Sequence, residues 1–290
     1  MPSQPRSGHP ISRRSLLRST AAAAVVAAAG LRPPLSSLAG GSGKRTGFAQ
    51  KSSPDFAELD QQIQNAMTAL HVPGVAVGLI LAGRTYAQGY GVANVNLSLP
   101  VDTDTLFQIG SVSKTYTATA LMQLVEAGAL SLDEPVRRYL PDLHLADERV
   151  AADVTPRQLL NHTSDFFGDT TGAPNRNEDA LATFVGQMEK LPQLAPLGWT
   201  FNYSNAAVML AGRLLEVVSG HSFEDVVSRS VLAPLNMSRS FYFADQAISY
   251  GVAAGHTLKN GQAVLNPYWA LPRQANPAGG VASSVTDQLQ

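Results

Sequence analysis

Cysteine is absent from the 290 residues of this sequence. The absence excludes a disulfide framework and thiolate metal sites, because both are built from cysteine side chains. The six histidines are scattered and form no H-x-x-x-H or H-x-H pair, so we expect no bound metal and no other cofactor. Stability must then come from an apolar core, and a chain of this length can bury a large one.

Acidic residues are absent from positions 1–49, which carry seven basic residues. Arg13-Arg14 resembles the twin-arginine export motif, and an Ala/Val-rich run from Ala21 to Ala29 follows it. The run is shorter than the roughly 20 apolar residues of a membrane span, but its place after a basic segment is typical of a signal peptide. We expect residues 1–49 to be a signal peptide and linker for export to the periplasm or cell exterior. An exposed basic tail with an alanine-rich helix is the alternative.

Positive charge is scarce once residues 1–49 are set aside, because 14 basic residues then stand against 22 acidic ones, a formal charge of −8. A nucleic-acid-binding domain presents a basic surface, so we expect no nucleic-acid partner. We also expect no membrane span after removal of the signal, and a monomeric protein.

The pattern of apolar residues predicts alternating helices and strands. Helical spacing predicts a first helix over 55–70, and two β-type runs at 74–81 and 85–92 predict a hairpin with a turn at Ala82-Gly83. Further helices are predicted over 111–127, 206–218 and 222–231. Gly128 and Gly220 follow two of these helices, where glycine is a common C-terminal cap.

The most informative element is Ser111-Val112-Ser113-Lys114, an S-x-x-K sequence at the start of a predicted helix. Residues three apart on a helix share one face, so the Lys114 ammonium can reach the Ser111 hydroxyl. A serine hydroxyl is a weak nucleophile until an adjacent base takes its proton. The N–H groups at a helix start also suit a developing oxyanion. The element therefore favours nucleophilic catalysis.

The sequence of this element does not fit two other common motifs. A P-loop requires glycine directly before the lysine, where this chain has Ser113. A nucleophile elbow requires G-x-S-x-G, which does not occur in the sequence. S-x-x-K also arises by chance, and serine is a common helix cap, so a second element is needed to support catalysis.

Tyr203-Ser204-Asn205 supplies that second element, just before another apolar run. With both elements in this order, the sequence resembles the serine β-lactamase-related family. The branch it resembles contains class C β-lactamases, D-Ala-D-Ala carboxypeptidases and β-lactamase-fold esterases. Further sequence segments extend the resemblance over residues 55–290. They are 72–77, 107–115, 155–164, 201–205, 234–237 and 277–284.

The resemblance implies a fold of the α/β (α+β) class, an antiparallel sheet flanked by helices with an all-helical subdomain, formed by residues 55–290. It implies that Ser111 is the acylated nucleophile and that Lys114 takes its proton or holds the site's electrostatics. Tyr203 would be the base or proton shuttle, and Asn205 would bind substrate and Lys114. Since lysine ordinarily titrates near 10.4, we expect burial to favour its neutral form.

The function implied is that of an exported serine hydrolase acting through an acyl-enzyme on a β-lactam, a D-amino-acid peptide or a small ester. The family's third element, K-T-G or H-x-G, has no match here, because His256-Thr257-Leu258 lacks the glycine and is predicted to be a polar loop. We therefore expect the C-terminal strands to be missing. The alternative function is that of a truncated, non-catalytic remnant that at most binds cell-wall peptides.

Two residues of the stretch 161–165 stand out. His162 is interpreted as a structural hydrogen-bonding residue rather than a metal ligand. Asp165 stands where relatives usually carry glycine, and aspartate tolerates positive φ better than most residues.

Overall fold

The computed structural model describes residues 56–266, 269 and 271–290. The chain divides into two units, residues 1–60 and 61–290. Only residues 56–60 of the first unit are described, so the predicted signal peptide and its twin-arginine pair lie outside the described residues. The second unit contains all four predicted site residues.

Helices contain more of the described residues than strands do. The α-helices are α1 (Ala57–Leu70), α2 (Ser113–Glu126), α3 (Glu148–Asp153), α4 (Pro156–Leu160), α5 (Ala180–Val185), α6 (Asn205–Ser219), α7 (Phe223–Val227), α8 (Ala244–Ala247), α9 (Asn276–Gly279) and α10 (Val285–Gln288). Short 3-10 helices occur at Gly110–Val112, Val136–Arg138, Met188–Lys190 and Arg273–Ala275, and a π-helix at Ser228–Leu232.

The strands form three antiparallel sheets in the described chain. They are β1 (Gly74–Leu81), β2 (Arg84–Asn94), β3 (Leu99–Pro100), β4 (Phe107–Gln108), β5 (Ser240–Phe241), β6 (Gly255–Lys259), β7 (Gln262–Asn266) and β8 (Ala282–Ser283). The sheet orders are β1-β2-β3, β4-β8-β5 and β6-β7. The predicted hairpin is confirmed, with Gly74 opposite Gly91 and Leu81 opposite Arg84.

The core lies among the helices. The helix α6 is buried along almost its whole length, because apolar or small residues occupy nearly every position. Its N-terminus is capped by the Ser204 hydroxyl and its C-terminus by Gly220 in the left-handed conformation. The fully buried large side chains of the core include four from α6 itself and four from other segments: Met209, Leu210, Leu214 and Leu215, and Leu121, Leu159, Phe166 and Phe223.

The start of α2 is attached to the segment 277–281, which positions the candidate site. The Thr117 hydroxyl donates to the Pro277 carbonyl at 2.8 Å, and the Ser113 hydroxyl accepts from the Val281 N–H at 3.0 Å. The Ile109 N–H donates to the Val281 carbonyl at 3.0 Å. These bonds hold α9, which contains Pro277 and ends two residues before Val281, against α2 and α6.

Two local predictions need correction. The helix predicted over 111–127 begins with a 3-10 turn at Gly110–Val112, and the α-helix proper starts at Ser113. The segment around His256, predicted to be a polar loop, is the hairpin β6-β7 with Asn260 and Gly261 at its turn, both at positive φ. The polar composition hid this hairpin, although the Asn-Gly pair is a hairpin signal.

Candidate active site

Ser111 lies in the 3-10 turn that joins β4 to α2. Gly110 has a φ of +54°, a left-handed conformation that glycine adopts without steric cost. The reversal at Gly110 leaves the Ser111 side chain exposed at the mouth of the helix. The Ser111 N–H lies in the first turn, where amide groups have no acceptor within the helix. It can therefore donate to an oxygen that becomes negatively charged beside the hydroxyl.

Lys114 lies one turn further along and contacts three acceptors. Its Nζ is 3.2 Å from the Ser111 Oγ, 2.8 Å from the Asn205 Oδ1 and 2.7 Å from the Ala278 carbonyl oxygen. The first contact follows from the three-residue spacing, whereas the other two come from α6 and α9. As an ammonium, Lys114 has one N–H for each acceptor.

Tyr203 approaches the same serine from the segment that precedes α6. Its hydroxyl donates to the Ser111 Oγ at 2.6 Å, and its ring centroid lies 4.8 Å from the Lys114 Nζ. The Ser111 oxygen therefore has a phenol on one side and an amine on the other. Tyr203 is 46% exposed, so a substrate can reach this junction from solvent.

The residues after Tyr203 hold its backbone in place. Ser204 is buried and is the N-cap of α6, with its Oγ accepting from the Ala207 N–H at 3.0 Å. The Gly168 carbonyl accepts from the Asn205 N–H at 3.0 Å. A Cβ at Gly168 would overlap the Cα, Cβ and Oγ of Ser204, so only glycine fits there.

Burial lowers the pKa of Lys114 below its ordinary value of 10.5, and the hydrogen bond and charge of Tyr203 partly oppose that shift. A lowered pKa makes the neutral amine more accessible. In that form Lys114 can donate to Asn205 and Ala278 while its lone pair accepts the Ser111 proton.

The four predicted site residues therefore form one chain of hydrogen bonds, which runs from Tyr203 to Ser111, from Ser111 to Lys114 and from Lys114 to Asn205. Sequence reasoning missed the Ala278 carbonyl, because a backbone oxygen has no residue-type signal. His162 does bond a backbone amide, as predicted, since its Nδ1 accepts from the Ser204 N–H at 3.2 Å. Its contact with the Tyr203 ring was not predicted.

Among the described residues, no group of three or more histidine, aspartate or glutamate side chains could hold a metal ion. The same part of the chain has no helix long and apolar enough to cross a membrane. The side chains that meet at Ser111 place its hydroxyl between two groups able to transfer a proton, the Lys114 amine and the Tyr203 phenol. Such an arrangement can activate a serine for attack on a carbonyl carbon.

Comparison with known proteins places this chain in a family. Residues 59–290 match the model of the β-lactamase family. The chain is 36% identical over 238 residues to penicillin-binding protein 4 of Amycolatopsis lactamdurans, covering 81% of this chain and 62% of that protein. It is 30% identical over 232 residues to a β-lactamase of Yersinia enterocolitica, covering 79% of this chain and 57% of that protein.

The structural comparison agrees. A class C β-lactamase superimposes with a TM-score of 0.68 and 27% identity, covering 81% of this chain and 62% of that one. The chain thus spans about three fifths of the length of these relatives. The β-lactamase-like α/β fold predicted from the resemblance is confirmed, and so is the resemblance itself. We conclude that this chain belongs to the β-lactamase family of serine hydrolases, with β-lactamases and penicillin-binding proteins as its relatives.

Proposed function

We propose that this protein is a serine hydrolase that forms an acyl-enzyme at Ser111. The observation that carries the proposal is the convergence of Tyr203 and Lys114 on one hydroxyl, at 2.6 and 3.2 Å. A hydroxyl serving only as a helix cap would have no need of a phenol from 92 residues away in sequence.

In the proposed reaction the Ser111 Oγ attacks the carbonyl carbon of the substrate and loses its proton to Lys114 or to a deprotonated Tyr203. A bond forms between Oγ and the carbonyl carbon, and the carbonyl oxygen becomes an oxyanion beside the Ser111 N–H. The proton then passes to the leaving nitrogen or oxygen as its bond to carbon breaks. Water repeats the sequence on the ester and releases the acid.

The two proton-transferring groups act as one unit in this scheme. Lys114 contacts Ser111 directly, and its Nζ also lies over the Tyr203 ring. Any charge on one group therefore changes the free energy of charging the other. Asn205 holds Lys114 through a 2.8 Å bond and has an amide nitrogen with which to donate to a substrate carbonyl.

The first substrate to test is a β-lactam. One relative is named for penicillin binding and the other for β-lactam hydrolysis. A D-amino-acid peptide and a small ester contain the same reactive carbonyl and follow as further candidates. Export to the periplasm or cell exterior through the signal at residues 1–49 is part of the proposal, since such a site would there meet cell-wall peptides and β-lactams.

The test is intact-mass analysis of the protein after incubation with benzylpenicillin. We expect an adduct of one penicilloyl group that maps to the peptide containing Ser111 and is absent from Ser111→Ala. The matched control is Ser230→Ala. Ser230 lies outside the site, and its buried hydroxyl has no hydrogen-bond partner. An adduct on Ser113 or another serine would contradict the assignment. No adduct with any of the three substrate classes would favour the non-catalytic alternative.

A further inference from the structure

His162 accepts a hydrogen bond from the residue on each side of Tyr203. The His162 carbonyl accepts from the Asn202 N–H at 2.8 Å, and its Nδ1 accepts from the Ser204 N–H at 3.2 Å. The backbone on both sides of Tyr203 is therefore bonded to a single residue. The bond from Ser204 is accepted by the ring nitrogen, so it depends on the position of the imidazole ring.

The imidazole also contacts the aromatic side chains of this segment. Its centroid lies 4.6 Å from that of the Tyr203 ring, with 35° between the planes, and 5.6 Å from that of Phe201 in an edge-on arrangement. Such pairs contribute roughly 0.5–1.5 kcal/mol beyond their buried area. His162 thus touches both the backbone and the side chain that bring the phenol to Ser111.

The rest of the turn 161–165 is bonded to the same segment. The Thr163 carbonyl accepts from the Gly198 N–H at 2.9 Å, and the Asp165 carbonyl accepts from the Leu194 N–H at 2.8 Å. Backbone hydrogen bonds from this turn therefore hold the segment 193–204 in position. Within the turn, His162 is the residue whose side chain reaches the end that carries Tyr203.

We propose that His162 is a positioning residue for Tyr203, and that it acts through a neutral ring with its proton on Nε2. Only an unprotonated Nδ1 can accept the Ser204 N–H. This inference rests on the proposed function, because Tyr203 is taken to exchange a proton with Ser111. His162 itself does not contact the Ser111 hydroxyl in this scheme and has no place in the bond-forming steps.

Protonation of His162 would remove that acceptor and put a positive charge beside the phenol. The titratable groups near the imidazole are Lys114 from α2 and Tyr203 from the facing segment, and Asp165 lies three residues further along the same turn. Burial and, secondarily, the Lys114 charge lower the pKa of His162 below its ordinary 6.5. The neutral form therefore prevails at neutral pH, and acylation should fall when the pH drops through the lowered value.

The same shift affects folding. Since the folded protein holds this proton less tightly than the unfolded chain, the contribution of His162 to stability is present above pH 6.5. It is lost as the pH falls through the folded pKa.

Two variants distinguish the role of the Nδ1 acceptor from that of the aromatic ring of His162. In His162→Asn the Oδ1 is attached to Cγ, as Nδ1 is, so it can accept the Ser204 N–H without titrating. Asparagine also tolerates the φ of +60° at this position. In His162→Phe the ring contact with Tyr203 is retained but the acceptor is lost. A matched control is His256→Gln. His256 lies in β6, away from the site, and its Nε2 also accepts a backbone N–H, that of Val95, at 3.3 Å.

The measurement is the rate of Ser111 acylation by a chromogenic β-lactam as a function of pH. We expect His162→Phe to lose roughly 10²-fold at neutral pH, the cost of a reacting group misplaced by about 1 Å. His162→Asn should keep most of the neutral rate and lose the acid limb due to His162, while His256→Gln keeps the unaltered profile. Unaltered acylation by His162→Phe, or an unaltered acid limb in His162→Asn, would overturn the inference.

Nitrogen NMR of the histidine rings tests the inference without turnover. An unprotonated Nδ1 on His162 at neutral pH, with a Ser204 amide signal that moves in His162→Phe and stays in His162→Asn, supports it. A protonated Nδ1 overturns it. If the unaltered protein forms no adduct with any substrate class while Nδ1 is unprotonated, the proposed function fails and the positioning of Tyr203 stands.

Discussion

Removing the Tyr203 hydroxyl should slow acylation of Ser111 by several orders of magnitude without unfolding the protein. Tyr203→Phe deletes a single oxygen, which donates to the Ser111 Oγ at 2.6 Å. The ring keeps its contacts with His162 and Lys114. A positioned acid–base group contributes roughly 10²–10⁴-fold to a rate. At about 1.36 kcal/mol for each tenfold change, that is roughly 3–5 kcal/mol of transition-state stabilisation.

Lys114→Met should produce a loss of similar size in activity, but with an added cost in stability. The change leaves the Asn205 Oδ1 and the Ala278 carbonyl without their donor. A buried acceptor left unsatisfied costs about 1–3 kcal/mol, so urea unfolding should show a lower midpoint. Tyr203→Phe should unfold like the unaltered protein, which makes it the cleaner of the two variants.

The double variant tests whether the two groups act as a unit. If one proton moves through both, Tyr203→Phe with Lys114→Met should be little slower than either single variant, because residues that act together are not additive. The assay is the rate of acylation by a chromogenic β-lactam, with Tyr250→Phe as control, since that ring keeps its stack on Phe241. Multiplicative losses in the double variant would refute the shared unit and mean that each group acts separately.

Three further results are expected. Gly168→Ala should abolish acylation, because the added Cβ would displace Ser204 and with it the N-terminus of α6. The control is Gly186→Ala, because a Cβ there would contact other atoms only at 3.5 Å and beyond. Asp165→Gly should raise the free energy of unfolding in urea by about 1 kcal/mol, because it removes a buried carboxylate oxygen without a partner and a side chain at a φ of +59°. Replacing Arg13 and Arg14 by lysine should retain a reporter fusion in the cytoplasm.

Each of these results has a clear opposite. Normal acylation by Gly168→Ala would show that the α6 N-terminus can shift without moving Tyr203. A less stable Asp165→Gly would mean that the bond from the Thr200 N–H to the Asp165 Oδ2, at 3.4 Å, outweighs the strain. Export of the double-lysine fusion would indicate the general secretory route.

Much of the local structure followed from the sequence. The helix predicted over 206–218 from an apolar run closed by Gly220 agrees with α6 to within one residue at each end. The hairpin β1-β2 came from two β-type runs around a glycine turn. The hairpin β6-β7 was missed, because its strands are short and polar enough to resemble a loop. Periodicity detects a strand by its apolar face, and β6 has no buried residue.

The sequence by itself determined the pairing of Ser111 with Lys114, because residues three apart on a helix are neighbours whatever surrounds them. It also determined that Tyr203 and Asn205 lie at a helix start. Only the tertiary structure brought these two places together, through the packing of α2, α6 and α9. That packing also placed the Ala278 carbonyl on Lys114 and His162 against Tyr203. A contact such as that between Lys114 and Ala278, which are 164 positions apart, depends on how buried helices fit, and no local pattern encodes that fit.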